Sequence, residues 1–444
     1  MRIPGKPRET TDLLSSLDGE RTAAVLNHLA GPTVNGRYLH WDELRRRKPP
    51  GDLSTEEWWL TLKLARRQAR RQLPFMDTFG RPFSYVLTDE ALSSLHRIDR
   101  FASGRIEAPE AITNEATRNR YLVSSLMEEA IGSSLLEGAA TTRREAKDLL
   151  KSGRAPRTVA ERMVVNNYVT MQHIRKDLEQ PLTTDLILEI HRMVTENTLE
   201  HPDDAGRIQR PGERRADVGD PLDAATVFHQ PPPAEELPSL LVNLSEFANS
   251  VETEPFVHPV VRAVALHFNT SYIHPFVDGN GRTARALFYR SLLRQGYRLA
   301  EFLSVSRLLY QAPTQYARSF LFTETDDADF TYFLLHQLNV LCRAIDELFD
   351  YLKEKVTEVQ RVERALRSVQ GLNHRQLALL SHAVRNPDAA YTFDSHANSH
   401  NVVYQTARAD LLDLEALGFI DRHQVGRQYH FFPREGLATR LLGP

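Results

Sequence analysis

Cysteine is almost absent from this chain: Cys342 is the single one in 444 residues. No disulfide can form within the chain, which excludes a small disulfide-stapled fold and suits a reducing cytoplasm. Long apolar runs are missing too. No stretch is long enough to span a bilayer, and the first eight residues, Met1 to Arg8, carry no apolar signal segment. A cytoplasmic protein with no membrane partner is therefore expected. Charge of one sign is also lacking. The formal net charge is -3, so nothing draws the whole chain to nucleic acid or to an anionic surface. Neither GxxxxGK followed by Ser or Thr nor HExxH occurs, which removes two common phosphate and zinc motifs.

What remains is ordinary globular composition, 41% hydrophobic and 25% charged, on a chain long enough for two or three domains. Strand-like alternation is scarce and helical periodicity is widespread, so the fold class is mostly α. Ser54-Thr-Glu-Glu57 reads as a capping box, followed by Trp58, Trp59, Leu62 and Ala65 on a helix. Residues 1–100 thus read as a small helical module with its own apolar cluster. Its basic runs, Arg45 to Lys48 and Arg66, Arg67, Arg70 and Arg71, read as a solvated face, with contact to an acidic partner as the alternative.

Residues 101–345 show long amphipathic helices, with Val260, Val264 and Phe268 marking a core helix over 259–272. One interruption, Gly206 to Pro233, is rich in Arg, Asp, Gly and Pro, and Ala224 to Gln230 is its best strand candidate. A long helix or helix pair spans 331–370, of which 346–370 serves as a linker. Beyond it, 371–444 reads as helix, helix, helix and hairpin around Gly426-Arg427, the order of a winged helix-turn-helix. Its seven arginines are matched by seven acidic residues, a poor balance for binding duplex DNA.

The chemistry concentrates in His274-Pro-Phe-Val-Asp278-Gly-Asn280-Gly-Arg282-Thr-Ala-Arg285. Gly279, Asn280 and Gly281 suit a tight turn whose N–H groups converge on one anion. The following residues read as a helix beginning near 282 and ending at Gly296, so the turn opens a helix N-terminus, a natural phosphate site. Arg282 and Arg285 are three apart on one helix face. His274 can act as a general base near neutral pH, and Asp278 offers the hard oxygens that magnesium takes.

This stretch resembles the signature of the Fic family, HPFx, Asp or Glu, GNGRxxR, at every specified position. The resemblance implies a helical Fic core with a β-hairpin flap over the 206–233 interruption. It implies transfer of AMP from ATP to a Ser, Thr or Tyr hydroxyl of a protein, the chain itself included. His274 would be the base, Asp278 the ligand of Mg²⁺ or Mn²⁺, and Gly279, Asn280, Gly281, Arg282 and Arg285 the phosphate holders. Ser133-Ser-Leu-Leu-Glu137-Gly138 matches the family's inhibitory pattern, in which Glu137 would pair with Arg285 and Ser133 shares its helix face. On the same fold, AMP removal is an alternative. In a third reading a nucleotide-sensing Fic domain serves a DNA-binding regulator, with Tyr404, Gln405 and Arg408 facing the major groove. The target is not fixed by the residues, and a homodimer is compatible with them.

Overall fold

The computed structural model describes the chain apart from residues 1, 30, 103–114, 177, 216–217, 221–222, 251–254, 369–370, 387–388, 426–427 and 438–444. The described elements run α1 (Thr10–Ser15), α2 (Gly19–Asn27), α3 (Trp41–Leu44), α4 (Thr55–Ala69), β1 (Arg71–Met76), β2 (Pro82–Tyr85) and α5 (Asp89–Ala102). Then come α6 (Glu115–Leu136), α7 (Arg143–Ser152), α8 (Val159–Ile174), α9 (Thr184–Thr195), β3 (Val218–Asp220), β4 (Asp223–His229), α10 (Leu237–Asn249) and α11 (Pro259–Ile273). The rest are α12 (Asn280–Arg294), α13 (Val305–Gln311), α14 (Pro313–Thr325), α15 (Thr331–Ser368), α16 (His374–Arg385), α17 (Phe393–His400), α18 (Tyr404–Ala416), β5 (Ile420–Val425) and β6 (Gln428–Pro433). The mostly helical class expected from periodicity is what the chain adopts. Each sheet is a two-stranded antiparallel hairpin: β1–β2, β3–β4 and β5–β6.

One compact unit holds Met1–Glu107 with Glu115–Leu348, and Phe349–Pro444 belongs to a second. The first 100 residues share that unit with the helices that follow. The capping box at Ser54 and Glu57 starts α4 as expected, and Trp58, Trp59 and Leu62 pack with Leu13, Val25 and Leu44. Yet α4 also buries Lys63 and Arg66, and a buried cation needs carboxylate partners. Lys63 bonds Asp326 at 2.6 Å and Asp327 at 2.7 Å, while Arg66 donates to the Tyr332 hydroxyl and lies 3.7 Å from the Tyr38 ring centroid. Asp326, Asp327 and Tyr332 lie more than 260 positions away, so these residues are tied into the later helices. Arg66, read from sequence as part of a solvated face, is fully buried. The β1–β2 hairpin was also not expected, and Pro74 lies inside β1, where a proline cannot donate to the ladder. Here it sits beside an irregularity in the register, between Gln72 and Met76.

At the centre of the first unit is α11, buried on nearly all sides. Its Phe268 ring packs against Phe83, Phe320, Phe330 and Phe333, with centroids 5.1 to 5.4 Å apart. The second unit closes around Leu380, Leu411, Leu414, Ile420 and Phe431. Its order, α16, α17, α18 and the β5–β6 hairpin, is the order read from the sequence. The expected Gly426-Arg427 turn lies outside the described residues.

Candidate active site

His274 caps α11 in the left-handed conformation, φ 45° and ψ 58°. A non-glycine residue held there stores strain, which surrounding structure must enforce. Three bonds do so. The Arg215 guanidinium donates to the Ile273 carbonyl at 2.7 Å, the Gln209 N–H to the Pro275 carbonyl at 2.9 Å, and the His274 N–H to Thr270 at 3.2 Å. The His274 Nδ1 lies 3.2 Å from the Ser271 carbonyl, an acceptor, so Nδ1 carries the proton and Nε2 keeps its lone pair. Burial pushes its pKa down to about 4. At neutral pH the ring is uncharged and able to accept a proton.

The turn that follows is braced from within. The Asn280 side chain accepts from the Phe276 N–H at 2.9 Å and donates to the Phe276 carbonyl at 2.8 Å. Gly279 has φ +83°, and a Cβ there would lie 2.5 Å from the Thr195 methyl, so only glycine fits. Helix α12 begins at Asn280, two residues earlier than the sequence suggested. Gly281 therefore lies in its first turn, and Asn280 works as a brace through its side chain.

The two signature arginines part company. Arg285 donates to the Ser133 hydroxyl at 2.9 Å, the Ser133 carbonyl at 3.1 Å and the Glu137 carboxylate at 2.8 Å. Arg282 instead donates to the Val194 carbonyl and to Asp278, each at 2.8 Å. The expected shared face is not used jointly: Arg285 lines the cavity that also holds His274, and Arg282 does not. A Cβ on Gly281 would stand 2.1 Å from a Glu137 oxygen. The Glu137 carboxylate thus lies directly over the first turn of α12, where orphan N–H groups and the helix dipole favour an anion. Gly138, with φ +82°, turns the chain just after it.

Around these groups is a cavity of about 220 Å³. Glu137, His274, Gly281 and Arg285 form its polar wall, and Phe228, Tyr316, Phe320 and Leu321 an apolar one. Val218, Phe228 and His229 come from the β3–β4 hairpin, paired Val218 to His229 and Gly219 to Val227. This hairpin occupies the interruption where a flap was expected. Asp278 lies at the turn with its side chain 53% exposed.

Sequence reasoning missed the support behind the turn. His191 on α9 stacks on Phe276 with centroids 3.7 Å apart, and its Nε2 meets the Asp278 carbonyl at 2.9 Å. Its Nδ1 accepts from the Gly206 N–H at 3.0 Å. Burial lowers its pKa to about 4, which keeps that acceptor available. Nothing in the amphipathic pattern of α9 separates His191, Val194 and Thr195 from ordinary core positions. His267 is fully buried, its Nε2 2.8 Å from the Tyr316 hydroxyl. In the second unit, Tyr404, Gln405 and Arg408 are exposed on α18. Arg375, Arg422 and Arg434 there pair with Asp410, Glu415 and Asp421. No described helix is long and apolar enough to cross a membrane, and no metal-type cluster of three His, Cys, Asp or Glu occurs among the described residues.

A strained histidine before an anion turn at a helix start is the arrangement of a Fic-type helical domain. Residues 181–292 match the Fic/DOC family. The chain is 36% identical over 130 residues to Protein adenylyltransferase Fic of Nematostella vectensis, 29% of this chain and 27% of that one. It is also 36% identical over 131 residues to Protein adenylyltransferase Fic of Drosophila virilis, 29% of this chain and 24% of that one. The match thus spans about a quarter of these curated relatives' length. A Fic family protein from Desulfovibrio desulfuricans shares the fold with a TM-score of 0.53 at 18% identity, over 79% of this chain and 98% of that chain. Residues 181–292 of this chain are thus similar to a Fic/DOC domain.

Proposed function

We propose that the chain is a protein adenylyltransferase that transfers AMP from ATP to a protein hydroxyl and is held in check by its own Glu137. One observation carries this reading. The Glu137 carboxylate sits over the N-terminus of α12, 2.8 Å from the Arg285 guanidinium, in the cavity that His274 also lines. That is where a phosphate would bind, and a carboxylate is the nearest mimic a protein can supply. The two relatives, each a Protein adenylyltransferase Fic, support the same activity.

In the reaction, a Ser, Thr or Tyr hydroxyl oxygen forms a bond to the α-phosphorus. The bond from that phosphorus to the bridging oxygen breaks, and pyrophosphate leaves. The hydroxyl proton passes to Nε2 of His274, which is neutral and unencumbered. The first-turn N–H groups of α12 hold negative charge on the phosphate oxygens. Arg285, once released by Glu137, holds and orients the outer phosphates. Asp278 fits Mg²⁺ or Mn²⁺, since each oxygen accepts only one hydrogen bond and the side chain is half exposed. Such a cation, when bound, neutralises phosphate charge. The arginine pairing in the second unit leaves DNA binding by Tyr404, Gln405 and Arg408 a secondary proposal. A second reading has support in the same cavity. Glu137 and His274 both line it, so a water between them would suit removal of AMP from a protein.

The test is incubation of the full chain and its Glu137→Gly variant with α-labelled and γ-labelled ATP, followed by mass spectrometry. Label from the α-position alone should stay on protein, chelation of divalent cations should stop it, and His274→Ala should abolish it. Retention of γ-label, or no label on any protein with Glu137→Gly, would overturn the reading. A Glu137 change that slows AMP release from modified protein would select the removal reading.

A further inference from the structure

The phosphate site leaves His229 unexplained. It ends β4, the second strand of the flap, and only 8% of it is exposed, yet it is a polar side chain facing the cavity. Its Nδ1 lies 2.8 Å from a Glu324 carboxylate oxygen on α14, and its Nε2 lies 2.7 Å from the Tyr272 carbonyl on α11. A carbonyl oxygen only accepts, and an ionised carboxylate only accepts. Neutral imidazole has one N–H and could serve one of them. Both bonds together need a proton on each nitrogen. The proton shared with Glu324 belongs on the imidazole, which is the stronger base.

The place of these bonds gives them a use. Tyr272 and Ser271 are neighbours in the last turn of α11. The Tyr272 carbonyl receives His229, and the Ser271 carbonyl receives Nδ1 of His274. One clamp thus joins the flap, α14 and the turn that aims the base. We propose that His229, as an imidazolium, is a positioning residue that latches the flap to α11 and α14 and fixes the turn orienting His274. The proposal rests on the adenylyltransferase reading for its effect on rate, though not for the charge of the ring.

The electrostatic surroundings agree. Burial opposes the charged ring, but the hydrogen bond and charge of Glu324 outweigh it and raise the pKa above the ordinary histidine value. Arg215, from the loop before the flap, works against it. His274, on α11, is neutral, and the cation of His229 helps keep it so. The Tyr272 phenol accepts from the Thr78 N–H at 3.0 Å and is pushed up to about 12, so it carries no charge. Because the folded pKa is raised, the latch is complete below it and loses one bond as pH rises through it.

The experiment uses the full-length chain with ¹⁵N only in its histidines. The His229 resonances are assigned by their loss in His229→Gln. At neutral pH both ring nitrogens of His229 should carry protons, and Glu324→Gln should lower the pH at which one is lost. In the Glu137→Gly background, Glu324→Gln should move the alkaline limb of the transfer rate to lower pH. His229→Gln should abolish that limb and slow transfer at saturating ATP by about tenfold or more, with ATP affinity within about twofold. A neutral His229 ring at neutral pH, or an alkaline limb unmoved by Glu324→Gln, overturns the latch. If Glu137→Gly transfers no AMP, the activity reading fails, and the nitrogen resonances still decide whether the latch exists.

Discussion

Replacing Glu137 by glycine should raise AMP transfer, and the structure sets the scale. The Glu137 side chain is 25% exposed and that of Arg285 3%, so their 2.8 Å contact is shielded from water on the arginine side. A charge-assisted bond in such a setting is worth roughly 1.5–3 kcal/mol. If ATP must displace that bond to place its outer phosphates, removing it relieves the same energy. At about 1.4 kcal/mol per tenfold, the gain is about tenfold to about 150-fold. Two bonds from Arg285 to Ser133 survive the change, so the guanidinium stays in place. The buried cation nevertheless loses its paired carboxylate, so the variant should melt lower without ATP and gain more than the parent when ATP is added. The assay is incorporation of α-labelled ATP into protein, run beside thermal unfolding with and without nucleotide. Adding Arg285→Ala should cancel the gain, because the arginine is the group released. A variant no faster than the parent would refute the reasoning, as would a gain that survives loss of Arg285.

Three further outcomes follow from the same geometry. Because burial holds His274 near a pKa of about 4, transfer should keep its base down to well below the ordinary histidine value and fall only as pH drops through that region. A pH–rate profile of Glu137→Gly, with an acid limb near 6.5 as the contrary result, decides it. Gly279→Ala should cost about 1–3 kcal/mol of stability and most activity, since a Cβ would strike the Thr195 methyl and φ is +83°. Denaturant unfolding reads this, and an unchanged midpoint would contradict it. A chain ending at Leu348, the limit of the first unit, should still fold and transfer AMP in the Glu137→Gly background. If the second unit binds DNA, mobility shifts should weaken with salt and with Arg408→Ala.

Much of this protein is local in the sequence, and that part could be read without coordinates. The signature residues are contiguous, so their turn and helix follow from φ preference and capping alone. Periodicity likewise marks the long helices, because each helix must bury a stripe. The inhibitory pair could be expected through a family resemblance, but its contact joins positions 148 apart. Only packing puts the Glu137 oxygen over Gly281.

Other features had no local trace. His191 and Thr195 support the turn from α9, yet on that helix they read as ordinary core. Lys63 and Arg66 look like surface charge until Asp326, Asp327 and Tyr332 arrive from the far end of the unit. The β1–β2 hairpin holds Pro74 inside β1, beside its register irregularity. Arg282 and Arg285 share spacing and chemistry, but Asp278 and the Val194 carbonyl claim one while Ser133 and Glu137 claim the other. The sequence by itself determined which residues can do chemistry, since backbone preference and side-chain type act within a few positions. Tertiary structure decided what each one faces, because burial, charge pairing and the protonation of His229 and His274 depend on groups that only folding brings near.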